Sequence, residues 1–194
     1  MPDRLELLFD RLDTPVGELF LAADRNGALR VVDWTEHEDR MRLLLQRHYG
    51  ADVTLTAARD PGGLSARLAA YFAGDLRSID GLAVETAGSA FQRRVWSALR
   101  DVPCGTTVSY GEIARRIGQP SAVRAVGLAN GANPVGVVVP CHRVIGSDGS
   151  LTGYGGGIAR KRWLLRHEGA GEAAVAALDL FSSGAAHRNE CRTA

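Results

Sequence analysis

The sequence predicts an α+β protein, with an antiparallel sheet near the amino terminus and a mainly helical second half. Alternating apolar and polar residues, separated by turn residues, indicate three short strands at 5–9, 17–23 and 29–34. After residue 88 the apolar residues follow a helical period instead. These two patterns occupy separate parts of the chain, which is typical of an α+β fold.

The charge changes where the pattern changes. Residues 1–87 carry 10 basic and 15 acidic side chains, whereas residues 88–168 carry 11 basic and 4 acidic ones. We therefore expect a support domain at 1–87, a second domain at 88–169 and a flexible tail at 170–194. A half with a net charge of +7 suits a polyanionic partner, although a solvated basic face explains the same excess.

Helical spacing predicts six helices before the tail, at 38–49, 64–73, 91–100, 110–117, around 123–128 and at 158–167. Ser89, Ser109 and Ser121 precede three of them and are candidate N-caps. The helices after Ser109 and Ser121 flank a Gly-containing turn, which is the outline of a helix-turn-helix, although core packing also produces such pairs. The tail is predicted to hold a short helix near 173–181.

Composition excludes several classes of protein. No stretch reaches the roughly 18 to 20 consecutive apolar residues of a membrane span, and charged residues at positions 3, 4 and 6 replace an apolar signal core. We therefore expect a cytoplasmic protein with no membrane association. The three cysteines, Cys104, Cys141 and Cys191, show no paired spacing, and the first 87 residues contain none. No disulfide framework, metal or cofactor is predicted.

Cys141 is the first candidate for a nucleophile. It stands in the segment Pro140-Cys141-His142-Arg143, after the apolar run 135–139 that is predicted to be a buried strand. An imidazole can accept the proton of a neighbouring thiol and so activate it. A buried, unreactive cysteine is the alternative explanation of the same dipeptide.

An ordered set of motifs resembles the O6-alkylguanine-DNA alkyltransferase family. The resemblance covers about eighty residues and lies in the segments Ser109-Tyr110-Gly111, Arg124-Ala125-Val126-Gly127, Asn133-Pro134, Pro140-Cys141-His142-Arg143-Val144-Ile145-Gly146, Gly153-Tyr154-Gly155-Gly156-Gly157 and Trp163-Leu164-Leu165-Arg166-His167-Glu168-Gly169. It implies a helix-turn-helix of the winged-helix type in the second half. The first half is only loosely similar to the ribonuclease-H-like support domain of that family.

The resemblance implies a direct-reversal repair protein that transfers the alkyl group of O6-alkylguanine in duplex DNA to its own cysteine, irreversibly and once. Cys141 corresponds to the acceptor, His142 to the base that takes its proton through a water molecule, and Glu168 to the carboxylate that orients His142. Arg143 is expected to be structural. Activity on O4-alkylthymine is left open.

Further residues correspond to the DNA-binding parts of the family. Arg124 matches the arginine that fills the gap left by a flipped nucleotide, with an ordinary exposed arginine as the alternative, and Tyr110 matches the tyrosine that helps to rotate the nucleotide. The small residues Ala125 and Gly127 would let the helix approach the minor groove. Asn133 matches a hinge asparagine, with ordinary turn chemistry as the alternative.

The remaining matched residues correspond to the pocket for the base. The Tyr154 hydroxyl would donate a hydrogen bond to guanine, and the backbone at Ser147 and Gly155 would line the pocket wall. The implied partner is double-stranded DNA bound by a monomer, and cooperative assembly on DNA is left open. Two rival functions remain: a lesion-binding protein that flags damage without chemistry, and a cysteine hydrolase. The first conflicts with the presence of Cys141, and the second with successive side chains of a strand pointing to opposite faces.

Overall fold

The computed structural model describes residues 5–50 and 53–170. The chain begins with the predicted antiparallel meander, which consists of strands β1 (Leu5–Thr14), β2 (Gly17–Asp24) and β3 (Leu29–Trp34). β1 continues past the predicted residue 9 because its pairing with β2 extends to Thr14 opposite Gly17, across a two-residue turn. The meander is therefore confirmed, with a longer first hairpin.

The complete sheet is mixed, so the prediction of a purely antiparallel sheet is wrong. Helix α1 (Glu38–Tyr49) follows β3 and leads to strand β4 (Val53–Ala57), which pairs parallel with β1 and gives the order β3-β2-β1-β4. A parallel pair requires a crossover connection, and α1 supplies it. Strand β4 was not predicted because it is a short edge strand in which no residue is fully buried, so its apolar pattern is weak.

The two faces of the sheet belong to two hydrophobic clusters. On one face, Leu7 and Phe20 pack with Met41 of α1. On the other face, Leu21 and Val32 join a larger cluster that also contains many residues from the second half of the chain. Both halves therefore share one apolar core, and β3 lies directly behind the segment that carries Cys141.

The second half is mainly helical, as predicted. Beyond β4 the described elements are α2 (Leu64–Phe72), α3 (Ala90–Arg100), β5 (Val108–Ser109), α4 (Tyr110–Arg116), α5 (Val123–Gly131), β6 (Val144–Ile145) and α6 (Ile158–His167), with β5 and β6 paired in parallel. Ser89 and Ser109 cap α3 and α4 by accepting first-turn N–H groups. The predicted cap Ser121 is wrong, because the preceding turn ends one residue later and places Ala122 at the start of α5.

The apolar run at 135–139 is a buried turn and not the predicted strand. Val135 forms a single parallel bridge with Val32 of β3, and the chain then folds back so that the Val139 N–H donates to the Val135 carbonyl at 3.0 Å. Val137 has a φ of 66°, a conformation that β-branched residues rarely adopt. The run is apolar because it fills the core, and a buried turn and a buried strand give the same sequence pattern.

Two further observations concern the described residues, 5–50 and 53–170. None of their helices combines the length and the apolar character needed to cross a membrane. No group of three or more His, Cys, Asp or Glu side chains among them could hold a metal ion. The predicted tail helix near 173–181 and Cys191 lie outside the described residues.

Candidate active site

Cys141 begins a short 3₁₀ turn, Cys141–Arg143, that follows Pro140. Its thiol forms no disulfide, and only 6% of the residue is exposed. Asn133 Nδ2 donates to Cys141 Sγ at 3.1 Å and to the Val139 carbonyl at 2.8 Å, while Asn133 Oδ1 accepts from the Val135 N–H at 3.0 Å. Asn133 therefore ties both ends of the buried turn to the thiol.

The electrostatic surroundings of the thiol act in opposite directions. Burial raises the pKa of Cys141 above its usual value, and the hydrogen bond from Asn133 and the positive charges of Lys161 and Arg40 partly offset this effect. The resting side chain is consequently a neutral thiol near pH 7. A reaction that needs a thiolate must remove the proton within the site.

His142 is fully buried and is paired with Glu168 at the end of α6. The distance from His142 Nε2 to Glu168 Oε1 is 2.9 Å. Because an ionised carboxylate can only accept, Nε2 carries the proton and Nδ1 has a free lone pair. His142 Nδ1 is buried and has no hydrogen-bond partner within the protein. Burial lowers the pKa of His142 and the Glu168 charge only partly opposes this, so the neutral imidazole is the form able to accept a proton.

Glu168 is held by further donors. Arg143 Nε donates to Oε2 and Arg143 Nη2 to Oε1, both at 2.8 Å, and the Tyr71 hydroxyl donates to Oε1 at 2.7 Å. Burial alone would raise the pKa of Glu168, but the interactions with His142 and Arg143 are stronger and hold it well below its usual range. Glu168 therefore stays ionised. Arg143 is structural, as predicted, in the sense that it holds this carboxylate and the Val102 carbonyl.

A narrow cavity of about 10 Å³, with room for about one water molecule, lies beside the thiol. It brings together four predicted site residues, Cys141, Asn133, Tyr154 and Gly155, whereas Ser147 lies exposed in a turn and is not part of the lining. The Tyr154 ring stands edge-on to His142, with centroids 6.4 Å apart. Burial and the nearby Cys141 raise the pKa of Tyr154 well above its usual value, so its hydroxyl remains a donor.

Sequence reasoning did not find the first-half residues that complete this cavity, which are Asp33, Trp34 and Arg40. Arg40 is paired with the buried Asp33 at 2.9 Å and lies against the Gly155 backbone, where a Cβ would overlap the guanidinium. The glycine run was the only signal, because it indicates a close approach without naming the partner. A fully buried lysine, Lys161, was also missed; burial lowers its pKa to about 8, and Nζ donates to the Val144 and Thr152 carbonyls.

The predicted DNA-contact residues lie together on α4 and α5, outside the cavity. Arg124 and Ala125 are exposed on α5, and Tyr110 begins α4 with its ring 3.9 Å from the position that a Gly127 Cβ would take. Leu128, one turn after Arg124, is 73% exposed. The other side of α5 is buried. The cavity at Cys141 therefore lies next to an exposed helix face with one arginine.

These features define a class of protein in which a buried cysteine is followed by a histidine that is paired with a carboxylate, beside two helices with an exposed face. Residues 90–170 match the family described as 6-O-methylguanine DNA methyltransferase, DNA binding domain. The chain is 53% identical over 166 residues to a methylated-DNA–protein-cysteine methyltransferase of Salmonella typhimurium, a match that covers 85% of this chain and 97% of that protein. A Mycobacterium tuberculosis relative with the same name is 48% identical over 160 residues.

Solved structures agree with the sequence comparisons. The crystal structure of Mycobacterium tuberculosis O6-methylguanine methyltransferase matches with a TM-score of 0.70 and 42% identity, and covers 84% of this chain and 93% of that one. The Mycobacterium tuberculosis OGT in complex with DNA matches with a TM-score of 0.71 and 41% identity over 87% of this chain and 98% of that one. This chain belongs to the methylated-DNA–protein-cysteine methyltransferase family, as the sequence motifs predict.

Proposed function

We propose that this chain repairs alkylated duplex DNA by transferring the alkyl group from O6 of guanine to Sγ of its own Cys141. The observation that carries the proposal is the arrangement around the thiol: Cys141 faces a small cavity, and the adjacent His142 is held by an ionised Glu168. Membership of a family whose relatives are named for this reaction gives independent support. The protein needs no cofactor for this chemistry.

The proposed transfer moves one proton and exchanges one bond. His142 Nδ1 takes the proton of Cys141 through a water molecule, and the resulting imidazolium is stabilised by Glu168. The thiolate attacks the alkyl carbon, so that an S–C bond forms while the C–O6 bond breaks. The Tyr154 hydroxyl donates a hydrogen bond to the departing guanine, whose negative charge grows as the bond breaks. The guanine anion then takes up one proton, and His142 returns the thiol's proton to water. The product is a thioether that water cannot reverse, so each molecule reacts once.

Access to the alkyl carbon requires the nucleotide to leave the base stack, which costs a few kcal/mol. We assign to Arg124 the role of filling the gap, because it is exposed at the start of α5, on a face whose other exposed residues are small or apolar. Tyr110, next to this face, would crowd the backbone of the flipped nucleotide. An apolar face with one arginine suits the minor groove, where Leu128 would lie against the sugars.

The proposal also assigns a role to each half of the chain. We propose that residues 1–87 form a ribonuclease-H-like support domain, that residues 88–169 form a winged-helix DNA-binding domain, and that the protein acts as a monomer. The mixed sheet β3-β2-β1-β4 and the β5–β6 pair beside α4 and α5 are consistent with these folds. The support domain contributes one wall of the cavity through Asp33, Trp34 and Arg40.

The rival functions differ in what happens to a labelled alkyl group. A lesion-binding protein would hold the duplex and transfer nothing, and a hydrolase would release the label with repeated turnover. The strand argument against a hydrolase no longer applies, because Cys141 and His142 lie in a 3₁₀ turn. The absence of turnover, and not the local geometry, therefore has to distinguish transfer from hydrolysis.

The decisive experiment incubates the protein with a duplex that carries radiolabelled O6-methylguanine. We expect up to one label per protein molecule, retained on the peptide that contains Cys141. Cys141→Ala should accept no label, whereas Cys104→Ala, which removes an exposed cysteine that does not line the cavity, should accept as much as the parent. Labelling of Cys141→Ala, or release of more label than protein present, would refute the proposal.

A further inference from the structure

Tyr71 in α2 is the point at which the first half of the chain touches the proton-accepting pair. Its side chain is completely buried, and its hydroxyl donates to Glu168 Oε1 at 2.7 Å although the two residues are 97 positions apart. An ionised carboxylate has no proton to donate, so the direction of this hydrogen bond is fixed. The hydroxyl therefore acts on the charge of Glu168 and not merely on its position.

We propose that Tyr71 is a positioning residue for alkyl transfer, which holds Glu168 and sets how strongly that carboxylate attracts the proton of His142. The inference rests on the proposed function in one respect, namely that His142 is the base for Cys141. It assigns to the support domain a direct part in the chemistry, in addition to its part in the cavity wall.

The distribution of donors over the two carboxylate oxygens supports this role. Oε1 accepts from His142 Nε2, Tyr71 and Arg143 Nη2, whereas Oε2 accepts from Arg143 Nε. Tyr71 and His142 thus share one oxygen atom. Charge drawn to the tyrosine hydroxyl is withdrawn from the atom that would stabilise the imidazolium. Removing the hydroxyl should strengthen the hold of Glu168 on a proton at His142.

Tyr71 is itself fixed by the last turn of α6. His167 Nε2 lies 2.7 Å from the Tyr71 carbonyl, and its ring stands edge-on to the Tyr71 ring with centroids 5.2 Å apart. The His167 ring is also stacked on the Trp163 ring, with centroids 4.6 Å apart. His167, the residue before Glu168, therefore holds Tyr71 in place, and this keeps the Tyr71 hydroxyl aligned with Glu168 Oε1.

Other charged or titratable groups near this cluster are Arg143 in the 3₁₀ turn, Cys104 in the loop after α3, and Lys161 and His167 in α6. Cys104 interacts with Glu168 only through charge, and Lys161 acts on His142 in the same way. Of these groups only Arg143 shares the carboxylate with Tyr71 and His142. A change confined to the Tyr71 hydroxyl therefore tests one donor while the remaining groups are kept.

The test compares Tyr71→Phe with Tyr49→Phe. Tyr49 lies in the same half, and its hydroxyl donates to the Glu85 carbonyl at 3.1 Å and accepts from the Ala87 N–H at 3.3 Å, so the control also loses hydrogen bonds of a tyrosine hydroxyl but away from Glu168. Two readouts are used: the pKa of His142 from an NMR titration of its imidazole, and the pH dependence of label transfer from the O6-methylguanine duplex. The first does not depend on alkyl transfer.

In Tyr71→Phe we expect the pKa of His142 to rise, because Glu168 gains effective charge. The neutral imidazole is the active form, so the acid limb of the rate profile should move up by about half a pH unit, which lowers the transfer rate by up to about threefold on that limb and changes it little at neutral pH. Replacing Tyr71 with 3-fluorotyrosine, a stronger donor of nearly the same shape, should move the His142 pKa down. Tyr49→Phe should match the parent in both readouts.

The proposal is overturned if the His142 pKa and the acid limb of Tyr71→Phe equal those of the parent, even where its rate is lower, since a purely structural hydroxyl would change only the rate. In the background of Glu168→Gln, Tyr71→Phe should shift neither readout further, and an equal shift there would also overturn it. A parent protein that accepts no label refutes the proposed function alone, because the NMR titration still measures the coupling between Tyr71 and His142.

Discussion

Glu168 is buried and accepts four hydrogen bonds, whereas Arg124 and Leu128 lie on the exposed face of α5. The two regions give different kinds of evidence about function. A buried charge must be compensated inside the protein, and Glu168 is compensated by His142, Arg143 and Tyr71. Its function can therefore be inferred from the partners that surround it. An exposed face has no such partners inside the protein, so its function has to be inferred from an external ligand.

The difference also separates stability from activity. The residues around Glu168 connect α2, α6 and the 3₁₀ turn, so a change there affects the fold and the chemistry together. A change on the exposed side of α5 removes little that the free protein uses, and its effect should be confined to binding and transfer from DNA. Substitutions that give the opposite result would show that this division is wrong.

The largest effect is expected from Glu168→Gln. The substitution leaves Arg143 buried without its counter-charge and removes the charge that would stabilise an imidazolium at His142, so we expect alkyl transfer to fall about a thousandfold and the free energy of unfolding to fall by about 3 kcal/mol. Single-turnover label transfer and urea unfolding measure the two effects. Glu36→Gln, which removes the exposed partner of Arg160, should change neither appreciably. A stable and fully active Glu168→Gln would show that the buried cluster is not needed.

A smaller and more selective effect is expected from Arg124→Ala. If the arginine fills the gap left by the flipped nucleotide, transfer from the lesion duplex should fall about a hundredfold, which corresponds to the few kcal/mol that flipping costs. Transfer from free O6-benzylguanine, which needs no flipping, should be unchanged, as should the melting temperature. Arg11→Ala on β1 is the matched control, since Arg11 is an exposed arginine in the first half. Equal losses with duplex and free base would contradict the proposed role of Arg124.

The same contrast explains how much the sequence could predict. The order of motifs identified Cys141, His142 and Glu168, and the structure places His142 Nε2 2.9 Å from Glu168 although they are 26 residues apart. Tyr71 could not be identified, because a tyrosine at helical spacing beside Phe72 has the pattern of a core residue. Its significance depends on a contact between two halves of the chain, and such a contact leaves no local signal.

The fold shows the same limit in the turn at 135–139 and in β4. The strands of the meander and most helices were predicted, because alternation and helical spacing are local properties. The valine run was assigned to a strand because burial was the only property that the pattern revealed, and Val137 with its φ of 66° adopts a conformation that propensity disfavours. The tertiary structure overrides the local preference here, since Asn133 ties this turn to the thiol.

The smallest effect, and the most specific test of the exposed face, is expected from Leu128→Ala. Because Leu128 is 73% exposed, the melting temperature should not change, but the loss of an apolar contact with sugars should weaken duplex binding about tenfold. The slope of log affinity against log salt concentration should equal that of the parent, since no phosphate contact is lost. Leu43→Ala, which removes an exposed leucine on α1, should bind as the parent does. Unchanged affinity in Leu128→Ala would exclude Leu128 from the interface, and a shallower salt slope would mean that the substitution had moved the basic groups of the interface.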